Sequence, residues 1–405
     1  MRTMGGCRQG HQRLLTQAPA VAGLEVDSYP RFSEAEIERR RTALTRAMAA
    51  RGAEHAVLYG ANRWGSAIPW LTRWPVTREA LCVFTPGERD LLLVDFYNHV
   101  PNATRIATEA DVRWTGPKTI ETAISALLSR GAAGRPVAVI GPLPHSAHLA
   151  LDDVAGEVIE MSADYLRLRH VKSAEEISWL RVGCELTDRA VNALAAELRP
   201  GLTEHQLADI CERAYVPAGG RTHIHYIGVT PMAEPGLSVP AQWTSARRVE
   251  PGDAVSCEIS ASFWDYAGQV LRTFAVAAEP TPLYVELHEV AVAAFDAVVE
   301  RLHPGATATE LVAAAAVIEE AGYTTRDDLV HGFVGGYLPP VLGSASRQLA
   351  SVPDFTLEAG MTLVVQPNVI TRDETAGVQT GELVLVTDLG PQRLHAVAGG
   401  LRRVA

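Results

Sequence analysis

Apolar residues recur at helical spacing at Ile37, Leu44 and Met48, behind Ser33 and Glu36 in the capping-box relation and ahead of Gly52. A helix is therefore predicted between Ser33 and Gly52. The period then changes. Short apolar runs at Ala56–Tyr59, Ala80–Phe84, Leu91–Phe96 and Val137–Ile140 predict strands, with Pro86-Gly87 as a hairpin turn between two of them. Thr119–Leu128 returns to helical spacing. Interleaved helices and strands make residues 31–168 an α/β domain, preceded by a tail over residues 1–30.

Ser173-Ala-Glu-Glu176 opens a second strong helix, in which Ile177, Leu180, Cys184, Val191, Leu194 and Leu198 keep one face as far as Pro200-Gly201. Thr203 and Gln206 open another by the same capping logic. This helix pair then recurs roughly a hundred residues on. Leu198-Arg-Pro-Gly-Leu-Thr203 followed by Leu207 matches Leu302-His-Pro-Gly-Ala-Thr307 followed by Leu311. Each copy leads through a turn into an apolar run: Glu250-Pro-Gly252 before Ala254–Ile259, and Glu358-Ala-Gly360 before Thr362–Val365. Short repeats stack into solenoids, whereas one duplication of this length predicts a single domain, residues 169–405, with an internal pseudo-two-fold axis. A site on that axis draws on both copies. Glu258 and Gln366 stand at equivalent places, as polar residues in or ending apolar strands. One such residue alone is explained by a backbone contact or a buried water. Two at matching positions point to a shared pocket.

Composition narrows the function. The 405 residues are 47% hydrophobic and 20% charged, an ordinary globular balance that can fill two cores. A formal net charge of −11 argues against a nucleic-acid-binding surface, because phosphate contacts need clustered Lys and Arg. Residues 1–30 lack the apolar core of a signal peptide. No run of about 18 apolar residues predicts a membrane span. A cytoplasmic protein with no nucleic-acid or membrane partner is the expectation. Cys7, Cys82, Cys184, Cys211 and Cys257 form no CxxC pair and are odd in number. They are expected to be reduced, mostly buried thiols, with Cys257 falling beside the pocket.

Several stretches resemble the pita-bread family of creatinase, prolidase and aminopeptidase P. Arg169-His-Val-Lys-Ser-Ala-Glu-Glu176 resembles the entry to that family's catalytic domain. Pro251-Gly-Asp253, Arg272-Thr-Phe274, Gly360-Met361 with Val365-Gln-Pro367, and Val384-Leu-Val-Thr387 resemble its later motifs, in the family's order. The resemblance implies a creatinase-like α/β N-terminal domain, an α+β pita-bread C-terminal domain with the internal repeat, and a homodimer. Metal-dependent members are similar in using Asp, Asp, His, Glu and Glu. Carried over position by position, these fall on Glu258, Gln269, His331, Gln366 and Gly381, with Glu382 beside the last. Two amides and a glycine cannot replace three carboxylates around two hard cations, so no metal and no cofactor are expected. The metal-free creatinase pattern fits less well: its essential His falls on Ala241 or Gln242, and its Glu before the Arg-Thr falls on Leu271.

The resulting pocket has His331 and Glu258 as candidate proton-transfer residues. Gln269, Gln366, His223, His225, Tyr226 and Tyr337 are candidates for holding substrate. Alternation places His223 and His225 on one strand face, where an exposed edge position is as good an explanation for either. Arg272 is read as bracing its strand. Arg73, Trp74 and Arg78 lie where the family's partner subunit closes the pocket, although surface arginines beside a core tryptophan explain them equally. The expectation is a metal-independent enzyme on a small nitrogen-containing substrate, acting by hydrolysis, elimination or cyclisation at a C–N bond, in bacterial specialised metabolism. The alternative is a catalytically inactive pita-bread module that binds a peptide or protein.

Overall fold

The computed structural model describes residues 29–61, 66–347 and 351–405. The tail, with Cys7, lies outside the described residues apart from its last positions. Two compact units divide between Arg169 and His170.

The unit Pro30–Arg169 is built on a mixed sheet of β1 (His55–Ala61), β2 (Glu79–Phe84), β3 (Asp90–Val94), β4 (Ala110–Trp114), β5 (Pro136–Ile140) and β6 (Glu157–Glu160). Its order is β4-β3-β2-β1-β5-β6. The Pro86-Gly87 turn joins β2 to β3 as an antiparallel pair, while β5 and β6 run parallel to β1. Strands of this sheet bury alternate side chains into two separate cores, as a sheet covered by helices on both faces must. Helix Glu34–Ala50 starts where Ser33 Oγ accepts from Glu36 N, and the chain turns out of it at Gly52 with φ of 74°. The Glu36 carboxylate holds Arg39 and Arg40.

In the second unit, helices Ala174–Glu197 and Glu204–Tyr215 precede β7 (Arg221–Pro231), β8 (Asp253–Phe263), β9 (Tyr266–Ala267) and β10 (Val270–Val276). Helices Pro282–Glu300, Ala308–Ala314 and Val317–Glu320 then precede β11 (Thr324–Thr325), β12 (Val330–Phe333), β13 (Tyr337–Leu342), β14 (Thr362–Val365), β15 (Val369–Ile370) and β16 (Gly381–Thr387). β17 (Gly390–Arg393) and β18 (Arg402–Val404) close the chain. The main sheet runs β13-β12-β14-β16-β10-β8-β7, with β17, β18 and β9 attached to β16, β10 and β8.

The duplication is visible bond by bond. Gly201 N donates to Val249 O and Val249 N to Leu202 O; Gly305 N donates to Leu357 O and Leu357 N to Ala306 O. Thr203 with Gln206 and Thr307 with Glu310 both close capping boxes. The two copies meet in the sheet where β10 pairs with β16. That seam brings the polar strand positions of both copies together.

Candidate functional site

Strand alternation decides which side chains reach the seam. Glu258 lies opposite Tyr226 on β7 and opposite Leu271 on β10, and Leu271 lies opposite Gly381 on β16. Residues opposite one another share a face, so Tyr226, Ser256, Glu258, Ser260, Gln269 and Thr273 form one polar row. Cys257, Ile259 and Arg272 point to the other side. Cys257 therefore lies on the face away from Glu258 rather than beside the pocket, where burial pushes its thiol up to about 12. Cys82, Cys184, Cys211 and Cys257 are all free and buried.

Gln269 ties the site together. Its Nε2 donates to Glu258 Oε1 at 2.6 Å and reaches Gln366 Oε1 at 3.4 Å. Glu258, Gln269 and Gln366 are 7%, 0% and 1% exposed. Burial, reinforced by Asp327 and Asp328, raises the Glu258 carboxyl to about 8. It is then mostly protonated at neutral pH. His331 is moved the opposite way: burial lowers it to about 4, against a smaller opposing effect of Gly332 O and Gln366. His331 Nδ1 faces Gly332 O at 3.1 Å, so it carries the hydrogen. Its Nε2 is left as a lone pair without a partner of normal geometry. The Tyr337 ring stacks on His331 at 3.9 Å and 15°, and its hydroxyl engages Asp328.

The sequence candidates separate on this geometry. Glu258, Gln269 and Gln366 are in contact, His331 stands under Tyr337, and Tyr226 is the cross-strand neighbour of Glu258. His223 and His225 do not share a face. A bulge between Thr222 and Ile224 interrupts the alternation on which that expectation rested. His223 meets the Phe333 ring at 6.0 Å. His225 turns away from Tyr226 onto Tyr215, with Nε2 at 3.2 Å from the hydroxyl. Burial lowers His225 to about 4, so its 3.8 Å approach to Glu212 is not an ion pair at neutral pH.

Arg272 braces the seam, as expected: it donates to Gly381 O at 2.8 Å and to Glu382 Oε2 at 2.7 Å. Arg393 takes the other oxygen of Glu382. Burial opposes ionisation of Glu382, but Arg393 and Arg272 outweigh it and lower its pKa. Trp74 is buried in the core of the N-terminal unit and is no free aromatic reader. Arg73 bonds Thr108, and the exposed Arg78 pairs with Asp95 at 3.3 Å.

Four polar residues near the site were not singled out from sequence: Asp327, Asp328, Asn368 and Gln379. The signals available were the Asp-Asp pair just before β12, an Asn two places after Gln366, and a Gln entering β16. Among the described residues, no group of three or more His, Cys, Asp or Glu side chains is placed to hold a metal ion. No described helix is long and apolar enough to cross a membrane.

A curled antiparallel sheet with an internal repeat, joined to an α/β domain and carrying an acid and a histidine at the seam, is the pita-bread architecture. Residues 178–388, just over half of the chain, match the metallopeptidase family M24, and the chain belongs to that family. It is 28% identical over 228 residues to an Xaa-Pro dipeptidase of Pyrococcus furiosus, a stretch covering 56% of this chain and 63% of that relative. The chain thus spans about 63% of the length of such curated relatives. Among solved structures, an Xaa-Pro dipeptidase from Bacillus anthracis superposes with a TM-score of 0.78 at 20% identity, covering 91% of this chain and all of that one. The prolidase from Pyrococcus horikoshii gives 0.74 at 22% identity, covering 90% and 99%. These likenesses establish the fold.

Proposed function

We propose that the chain is a metal-independent hydrolase or lyase acting at a C–N or neighbouring bond of a small nitrogen-containing substrate. The observation that carries this reading is the opposite displacement of two groups at one seam: Glu258 up to about 8 and His331 down to about 4. Environments that push two titratable groups apart assign an acid and a base. At neutral pH, His331 Nε2 is an acceptor set against Gln366, and Glu258 holds a proton. In a hydrolysis, His331 takes a proton from water as its oxygen bonds to the substrate carbon. The C–N bond breaks and Glu258 gives its proton to the leaving nitrogen. Gln269 and Gln366 orient the substrate without competing for protons.

The family name implies a metal, and the donor set argues against one. Glu258 and His331 are joined at the mapped ligand positions by two neutral amides. The fifth position is Gly381, where a Cβ would lie 2.3 Å from Val365 O. No carboxylate can project there without the backbone moving. The adjacent Glu382 is consumed by Arg272 and Arg393. Two hard divalent ions need more negative charge than one carboxylate supplies.

The test is a turnover screen with small amides, amidines and Xaa-Pro dipeptides, run with chelator and with added Mn²⁺. Turnover that survives chelator is expected. Cleavage that appears only with Mn²⁺ would refute metal independence. A folded protein that turns over nothing, but captures a peptide through this seam, would favour the inactive binding module. The reading also takes the chain as a homodimer, with Arg73 and Arg78 offered to the partner's pocket.

A further inference from the structure

We infer that Asp327, Asn368 and Gln379 form a subsite for a compact organic cation rich in N–H donors, such as a guanidinium, amidinium or ammonium group of the substrate. The assignment rests on the enzymatic reading above for the word substrate, but not for the binding itself.

The first observation is a surplus of hydrogen-bond acceptors. Asn368 Nδ2 donates to Asp327 Oδ2 at 3.3 Å, which aims its amide at that carboxylate. Asn368 Oδ1 has no partner, and the residue is 0% exposed. Gln379, 1% exposed, lies against Asp327, yet neither amide atom reaches a hydrogen bond of normal geometry. Gln269 Oε1, at the bottom of the same seam, is also without a partner. A buried polar atom left unpaired is destabilising. Asn368 Oδ1 and Gln379 Oε1, on the two amides set against the half-buried Asp327 carboxylate, lack donors, and a ligand with several N–H groups supplies them.

The second observation is charge. Asp327 and Asp328 both act electrostatically on Glu258 and on Tyr337, which adds negative charge to this end of the site. The guanidinium acting on Asp327 is that of Arg326, and Glu374 already engages it. Arg272 and Arg393 are held by Glu382. The negative potential at Asp327 therefore awaits a cation, and a charge-assisted, forked contact to a carboxylate suits a planar N–H donor best.

The third is placement. Asn368 N donates to Gln366 O at 2.7 Å, which fixes Asn368 in the turn that carries Gln366. Gln379 N donates to Thr273 Oγ1 at 2.7 Å, and Thr273 shares the polar row of Glu258 and Gln269. Asp327 stands just ahead of β12, which carries His331. Each member is pinned to an element of the acid–base site, so a cation held there presents the rest of its molecule to Glu258 and His331.

The experiment is calorimetric titration of the full chain with methylguanidinium, tetramethylammonium and Mn²⁺ as separate probes. Saturable methylguanidinium binding is expected, weakened about tenfold or more by the isosteric Asp327→Asn and by Gln379→Leu, since a hydrogen bond to a charged group is worth about 1.5–3 kcal/mol. Tetramethylammonium, a cation without N–H groups, should not compete. Absence of methylguanidinium binding, binding indifferent to both variants, or displacement by Mn²⁺ or tetramethylammonium would each overturn the subsite. Failure of the acid–base reading would appear instead in turnover alone, with the binding intact.

Discussion

At the scale of single residues, the site depends on two groups displaced in opposite directions by the same cause, burial. Turnover should hold a plateau between about 4, where His331 protonates, and about 8, where Glu258 ionises. Glu258→Gln should abolish the alkaline limb, and each of Glu258→Gln and His331→Ala should lower kcat by about 10²- to 10⁴-fold. A pH–rate profile of the folded variants checks this, and undiminished rates in both would remove them from the mechanism. The same displacement has a sign in stability. Glu258 rises from 4.5 to about 8 on folding, so the unfolded chain loses this proton first as pH rises. Stability is then lost progressively between about 4.5 and 8. Glu258→Gln should melt at a higher temperature than the parent at pH 8, and the two should converge towards pH 4.5. Melting curves across that range decide it, and a variant less stable than the parent at pH 8 would contradict the burial of an unpaired acid. Glu258 and Gln366 were legible in the sequence because they stand in or end apolar strands at repeat-related places, whereas Gln269 and His331 were found only through the positions the family resemblance maps to. His225 misled because alternation was read through a bulge, and Cys257 because its neighbour Glu258 faces the opposite side of the same strand.

At the scale of elements, the seam between β10 and β16 is fixed by Arg272, Glu382 and close backbone packing at Gly381. Gly381→Glu, which puts the family's carboxylate back, must displace Val365 O from a 2.3 Å contact. Overpacking of this kind costs about 1–3 kcal/mol or more. The variant is expected to melt well below the parent and to gain no metal affinity. Arg272→Met should cost about 3–5 kcal/mol, because Glu382 is left buried with only Arg393 as a partner. Denaturant titration measures both, and a neutral result for either would mean that the seam is held elsewhere. The helix caps and the Pro86-Gly87 hairpin were readable from sequence, since their chemistry is local. Asp327, Asn368 and Gln379 were not. They lie in connections whose mutual approach is set by the sheet, and nothing in their spacing announces it.

At the scale of the whole molecule, one duplicated unit links an acid from the first copy to a histidine from the second through Gln269 and Gln366, in a family whose name implies metal chemistry. The repeat was visible in sequence because Pro-Gly turns and Thr caps recur with it, and the matching backbone bonds at Gly201 and Gly305 show why both must. Assembly is checked by sedimentation at micromolar concentration. A dimer is expected, and Arg78→Glu should weaken turnover in it if the partner's pocket receives this exposed side chain; a monomer would remove that role. The central claim is that proton transfer here belongs to side chains alone. Its most direct test is elemental analysis of the full chain purified from manganese-supplemented cells, beside Glu258→Gln. The account predicts no stoichiometric manganese, zinc, cobalt or iron in either protein. One or two ions per parent chain, lost in Glu258→Gln, would contradict it.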